Sequence, residues 1–249
     1  MEKHVRPFRG KDNPIIVALD VSDWRAAQDL VDQLSSMVGF FKIGMELFTA
    51  EGPRVIQTVK ETGGRVFLDL KYHDIPNTVK GAVAAAAGLG VDMLTVHASG
   101  GRAMLEAAVQ SVASFPDPPI LLGVTVLTSI DEETLISQLR VSSRVEEQVV
   151  HLGRMAIGSG LQGVVASPLE ISSLRHALGK EAVIVTPGIR PAWYRQGDQK
   201  RVTTPQEAVS LGADYLVIGR PITAASNPRE AASRILQDLQ GDNEGVTDR

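Results

Sequence analysis

The chain contains no cysteine. Disulfide frameworks, thiolate zinc sites and cysteine nucleophiles are therefore excluded, and the composition is compatible with a reducing cytoplasm. Aromatic residues supply only 4% of the 249 positions, against 43% apolar residues in all, so a core has to be built mainly from Val, Ile, Leu and Ala. Such residues suit buried parallel strands covered by helices. A large excess of either charge is also missing. The formal net charge of −4 gives no electrostatic basis for binding nucleic acid. Long apolar runs are absent, and stretches such as PPILLGVTVL fall well short of the roughly 20 residues that span a bilayer. The N-terminal MEKHVRPFRGKDNP carries charge without the apolar core of a signal peptide.

What is present is a rhythm. Short apolar runs recur as IIVALD (15–20), FFKIG (40–44), RVFLDL (65–70), DMLTVH (92–97), ILLGVTVL (120–127), GVVAS (163–167), AVIVTP (182–187) and DYLVIG (214–219). Between them lie stretches such as DWRAAQDLVDQLSSM, whose apolar positions have helical spacing. Eight strand–helix units predict an α/β protein, a single (β/α)8 TIM barrel, with an open doubly wound sheet as the alternative. The expected organisation is a polar tail over 1–13, a barrel over 14–239 and a second tail over 240–249. No internal repeat is evident beyond this rhythm. Two segments interrupt it, 128–143 after strand five and 188–204 after strand seven. Both follow strand ends, where barrel active sites are built. The second is expected to be a lid or binding loop, and 131–143 is equally readable as a solvated insertion.

The charged residues are concentrated in LDLKYHDIPNT (68–78). Asp69 and Lys71 are two apart at a strand end, which predicts one shared face. Asp74 follows the strand, and Pro76 suits the first turn of a helix. Asp20 closes the first run and Lys42 lies within the second. Charges at the ends of neighbouring strands are expected to meet at one barrel mouth, although a surface salt-bridge cluster is the ordinary alternative. Near the last run, Gly219 and Arg220 open a helix, and Gly188, Arg190 and Gln199 follow the seventh. Together they suggest a phosphate site. His73 and His97 are expected to orient or pack rather than to catalyse, and no histidine–carboxylate spacing suggests a metal.

The blocks VALDVS, FKIGMELF, DLKYHDIPNT, TVHASGG, LGVTVLTS, VTPGIR and VIGRPIT resemble, in order, the signatures of bacterial orotidine 5′-phosphate decarboxylases. The resemblance runs from about residue 14 to 235. It implies conversion of orotidine 5′-monophosphate to uridine 5′-monophosphate and carbon dioxide, with no metal and no cofactor. It further implies Lys71 as proton donor, Asp69 and Asp74 as its carboxylate partners and Lys42 as a fourth charge. Asp20 and Lys42 would contact the ribose, Thr128 the pyrimidine, and Arg190, Gln199, Gly219 and Arg220 the phosphate side. A cytoplasmic homodimer is implied, with Asp74 and Thr78 entering the partner's site. Two other functions compete. One is a magnesium-dependent sugar-phosphate decarboxylase or hexulose-phosphate synthase of the same barrel superfamily, which carries a Glu where this chain has Lys42. The other is a non-catalytic nucleotide-phosphate binder.

Overall fold

A computed structural model describes residues 13–194 and 203–241. Eight strands form a closed parallel barrel in sequence order: Ile15–Ala18 (β1), Phe40–Gly44 (β2), Val66–Tyr72 (β3), Met93–His97 (β4), Ile120–Val124 (β5), Gly163–Val165 (β6), Val183–Thr186 (β7) and Tyr215–Ile218 (β8). The ring closes where Ile15 pairs with Leu216 and Val17 with Ile218. The barrel, not the open sheet, is therefore the architecture; seven of the eight apolar runs contain a whole strand, and β3 extends two residues past the third run, to Tyr72. Several runs continue past their ladder because the residues beyond it, such as Val126 and Leu127, line a cavity at the C-terminal rim.

Helices wrap the barrel in sequence-determined ways. Trp24–Leu34 (α1) starts at Asp23, whose carboxylate accepts from the Ala26 N–H, and buries Ala27, Leu30, Val31 and Leu34. That is the spacing of one helix face. Met45–Glu51 (α2) and Arg54–Glu61 (α3) are separated at Gly52 and Pro53. Pro76–Gly88 (α4) begins on Pro76, as its missing N–H allows. Arg102–Val112 (α5), Val145–Gly158 (α6), Ile171–Leu178 (α7), Pro205–Leu211 (α8), the single turn Arg220–Thr223 (α9) and Pro228–Gly241 (α10) complete the ring. α10 runs past residue 239, and Asn13 is tied to Met37 by a side-chain hydrogen bond of 2.6 Å. The segment 128–143 contains a π-helical turn, Thr134–Gln138, anchored by buried Leu135.

Side chains alternate between two apolar layers. Ile16, Phe40, Phe67, Met93, Leu122 and Tyr215 fill the barrel interior, where Phe40 and Tyr215 meet edge to face at 5.4 Å. Their chain neighbours, including Ile15, Val17, Phe41, Leu68 and Leu94, pack outward under the helices. The N-terminal floor carries a clamp that occurs twice. The Asp92 carboxylate accepts from the Val66 N–H at 2.7 Å and pairs with Lys60 of α3 at 3.0 Å. The Asp214 carboxylate accepts from the Ile184 N–H at 2.8 Å and pairs with Arg175 of α7 at 2.7 Å. The first ties β3 to the turn before β4, and the second ties β7 to the turn before β8. The segments are LGVDML (89–94) and LGADYL (211–216), a repeat that the strand–helix rhythm alone does not disclose.

Candidate active site

The interior layer continues upward into charge. Two residues beyond Phe40 comes Lys42, and two beyond Phe67 comes Asp69, so the period of the strand carries both to the rim on the inward face. The Lys42 ammonium lies 2.9 Å from Asp20 Oδ1 and 3.8 Å from Asp69 Oδ2. The Lys71 ammonium lies 2.8 Å from the same Asp69 Oδ2. The four charges thus alternate in sign across β1, β2 and β3. Lys42 and Asp69 are buried, whereas the Asp20 side chain is 61% exposed. A carboxylate such as Asp69 is costly to bury without donors, and here two ammonium groups and the Thr95 hydroxyl surround it.

Plain strand alternation does not account for Lys71. Leu68 pairs with Leu94, but the next partners are Tyr72 and Val96, so four steps along β3 match two along β4. Lys71 sits inside this bulge with φ +53, in the left-handed region. That conformation costs an L-residue roughly 1–2 kcal/mol and persists only where neighbouring contacts hold it. The expected shared face is therefore reached through a bulge, which swings Lys71 back onto Asp69.

The charges form one wall of a cavity of about 330 Å³. Much of the remaining lining is apolar, from Val124, Val126 and Leu127 with Val165 and Pro187 across the barrel and Val217 on β8 beside β1. Thr128 and Gly219 also line it. Gly188 has φ +78, which favours glycine. Gly219 has φ −104, and an added Cβ would meet Ala18 only at 3.6 Å. Packing at 219 therefore leaves open space beside the backbone.

The remaining expected residues are not part of the described cavity lining. Arg220 is exposed at the start of α9, and half-buried Arg190 donates its backbone N–H to Thr203. Asp74 and Thr78 are exposed and do not line the cavity of the single chain. Gln199 lies outside the described residues, as do 195–202 of the expected lid. The start of that segment is fastened to α10, where Trp193 stacks under Arg234 and its indole N–H donates to Asp238. The rings of His73 and His97 pack at 5.4 Å. Burial holds the His97 pKa below the ordinary value, helped by His73 and Lys71 and opposed by Asp69. Among the described residues, no group of three or more His, Asp or Glu side chains is placed to hold a metal ion. Thr95, fully buried beneath the site, is not among the residues singled out from the sequence. Its signal was its position, two residues from both Met93 and His97 on the inward face of β4.

Residues 13–235 match the model of the orotidine 5′-phosphate decarboxylase / HUMPS family. An orotidine 5′-phosphate decarboxylase of Moorella thermoacetica is 56% identical over 231 residues, covering 91% of this chain and 92% of that protein. One from a Nostoc species is 50% identical, covering 92% and 98%. The crystal structure of orotidine 5′-phosphate decarboxylase from Lactobacillus acidophilus superposes with a TM-score of 0.82 at 40% identity, covering 92% of this chain and 99% of that one. On this breadth of agreement, the chain belongs to the orotidine 5′-phosphate decarboxylase / HUMPS family.

Proposed function

We propose that the chain decarboxylates orotidine 5′-monophosphate to uridine 5′-monophosphate and carbon dioxide, the last step of de novo UMP synthesis. The observation that carries this reading is the Lys71 ammonium at the cavity, 2.8 Å from Asp69, with Lys42 next in line. When the bond from C6 of the pyrimidine to its carboxylate breaks, the electron pair stays on C6 and carbon dioxide leaves. That carbon has little conventional delocalisation, so fixed positive charge has to stabilise it. Lys71 supplies that charge and then transfers a proton from Nζ to C6. Asp69 holds the ammonium in place, and solvent returns the proton after product release. The apolar wall of Val124, Val126 and Leu127 suits a heterocycle, with Thr128 as a polar contact. Asp20 and Lys42 suit ribose hydroxyls. Gly219, with room left by its missing Cβ, suits a phosphate together with Arg190, Arg220 and Gln199.

The family also includes magnesium-dependent sugar-phosphate enzymes. The chemistry of Lys42 argues against that branch, because an ammonium cannot ligate magnesium and repels it. That chemistry supports a reaction run without magnesium, and the proposed mechanism calls on no other cofactor. A mere nucleotide binder would have no use for a buried carboxylate gripping two ammonium groups. We further assign the working form as a cytoplasmic homodimer. Asp74 and Thr78 bracket an Ile75 that is 67% exposed, and Met45 on α2 is 56% exposed. Large apolar side chains in solvent beside polar residues are what a partner chain would cover. Among the described residues, no helix is long and apolar enough to cross a membrane.

The test is turnover of orotidine 5′-monophosphate in excess EDTA, following UMP and carbon dioxide, with Lys71→Ala as control. Chelator-resistant turnover that collapses in the variant is expected. A folded wild-type protein that leaves the nucleotide intact would return the assignment to magnesium-dependent sugar-phosphate chemistry.

A further inference from the structure

The arrangement beneath Lys71 points to a residue that acts through the charged pair without touching substrate. Thr95 lies on the inward face of β4 and has no solvent exposure. Its hydroxyl oxygen accepts from the Lys71 backbone N–H at 2.9 Å. Its own hydrogen is then free for one acceptor, and it donates to Asp69 Oδ1 at 3.0 Å. One hydroxyl therefore spans the β3 bulge, bonded to residue 69 by side chain and to residue 71 by backbone.

Two consequences follow from this geometry. First, Asp69 has its oxygens divided between tasks. Oδ1 is occupied by Thr95, and Oδ2 faces Lys71 at 2.8 Å and Lys42 at 3.8 Å. With Oδ1 fixed, the carboxylate plane cannot turn, so the ammonium of Lys71 has a defined anchor. Second, Lys71 has a left-handed backbone where the ladder slips, and its N–H is given to a side chain, the Thr95 hydroxyl. A buried N–H without an acceptor is costly. Thr95 supplies the acceptor and so offsets the strain of the bulge.

We propose that Thr95 is the positioning residue of the active site, its hydroxyl fixing both the plane of Asp69 and the backbone of Lys71. This assignment rests on the decarboxylase reading above. A β-branched residue suits the task, because its hydroxyl is held by a stiff χ1. Displacement of a reacting group by about 1 Å is enough to cost roughly 100-fold in rate.

The experiment compares Thr95→Val and Thr95→Ser with wild type, measuring kcat on orotidine 5′-monophosphate and the Kd of UMP on the folded dimer or monomer as it purifies. Thr95→Val is expected to lower kcat by roughly 10- to 100-fold while the UMP Kd changes by less than about threefold, since UMP lacks the reacting carboxylate. Thr95→Ser, which keeps the hydroxyl, is expected to recover kcat to within about threefold of wild type. If Thr95→Val does not fold, Thr95→Ala removes the hydroxyl without pressing a methyl group on the Lys71 amide and carries the same expectation. Unchanged kcat overturns the proposal, as does an equal loss in kcat and UMP affinity, or a serine variant no better than valine. Wild-type protein that binds UMP but turns nothing over overturns the decarboxylase reading instead.

Discussion

Gly44 and Lys42 stand so close at the barrel mouth that a Cβ on the glycine would lie 3.1 Å from the lysine ammonium. It would also lie 3.3 Å from Asp20 Oδ1. The backbone of Gly44, with φ −90 and ψ −179, is open to any residue. The glycine is thus favoured by the close ion pair and not by the chain path. Gly44→Ala should displace the Asp20–Lys42 pair by a few tenths of an ångström. We expect kcat/KM for orotidine 5′-monophosphate to fall roughly tenfold, or 1.4 kcal/mol. Thermal unfolding should stay close to wild type. Unaltered kinetics in this variant would mean that the pair has more slack than its packing implies.

Arg220 reports on the proposed phosphate site. It begins α9 immediately after Gly219 and is exposed, so its loss should not unfold the barrel. Binding energy gathered at a remote phosphate can still be used at the reacting carbon. Arg220→Ala is therefore expected to lower kcat/KM by roughly 10³-fold or more. A steady-state loss below about tenfold would reject a central phosphate role.

Mixed dimers test the placement of Asp74. In the single chain its carboxylate accepts from the N–H of the next residue, Ile75, at 2.7 Å and is exposed, away from the cavity. Lys71→Ala and Asp74→Ala chains should each be nearly inactive. Co-refolded together, they should regain about a quarter of wild-type sites if Asp74 serves the partner, by random pairing into closed dimers. Verified heterodimers without recovered turnover would place Asp74 in its own chain's site.

Glu170 gives a pH dependence away from the chemistry. It is buried at the start of α7. Burial raises its pKa above 4.5, a hydrogen bond with Ser167 opposes the shift, and the Glu146 carboxylate adds to it. A raised folded-state pKa means the contribution to stability is full below the unfolded value and is lost as pH rises through the folded one. Wild-type protein should thus lose stability relative to Glu170→Gln as pH rises from the ordinary glutamate range through the higher folded-state pKa. Melting curves across that range check it, and parallel profiles for the two proteins would contradict it.

The barrel was legible because eight apolar runs alternated with helix-spaced segments, and because composition left Val, Ile, Leu and Ala to build the core. The convergence of Asp20, Lys42, Asp69 and Lys71 was legible too, since each charge stood at a strand end. What the sequence hid was local. The bulge at Lys71 depends on slippage against β4, a relationship between segments more than 20 residues apart, as its contact with Thr95 shows. Thr95 itself looked like any polar residue in a strand. The repeat of LGVDML and LGADYL was hidden by its wide spacing, and it acquires meaning only when Asp92 and Asp214 are seen making equivalent bonds. Within 131–143 only Leu135 is buried, so the segment is largely the solvated insertion the sequence allowed, pinned at one point.

The doubled floor clamp has a further consequence. Its two copies hold β3 and β7, which stand four strands apart in a ring of eight, on opposite sides of the barrel. Three residues above the clamped Val66 stands Asp69, and three above the clamped Ile184 stands Pro187. A frame with near-twofold regularity therefore ends in two unlike banks, one ionic and one oily. The molecule breaks its own symmetry within a single storey, and a flat ligand entering from above meets a compass: it can settle with its reactive edge toward β3 and not the reverse.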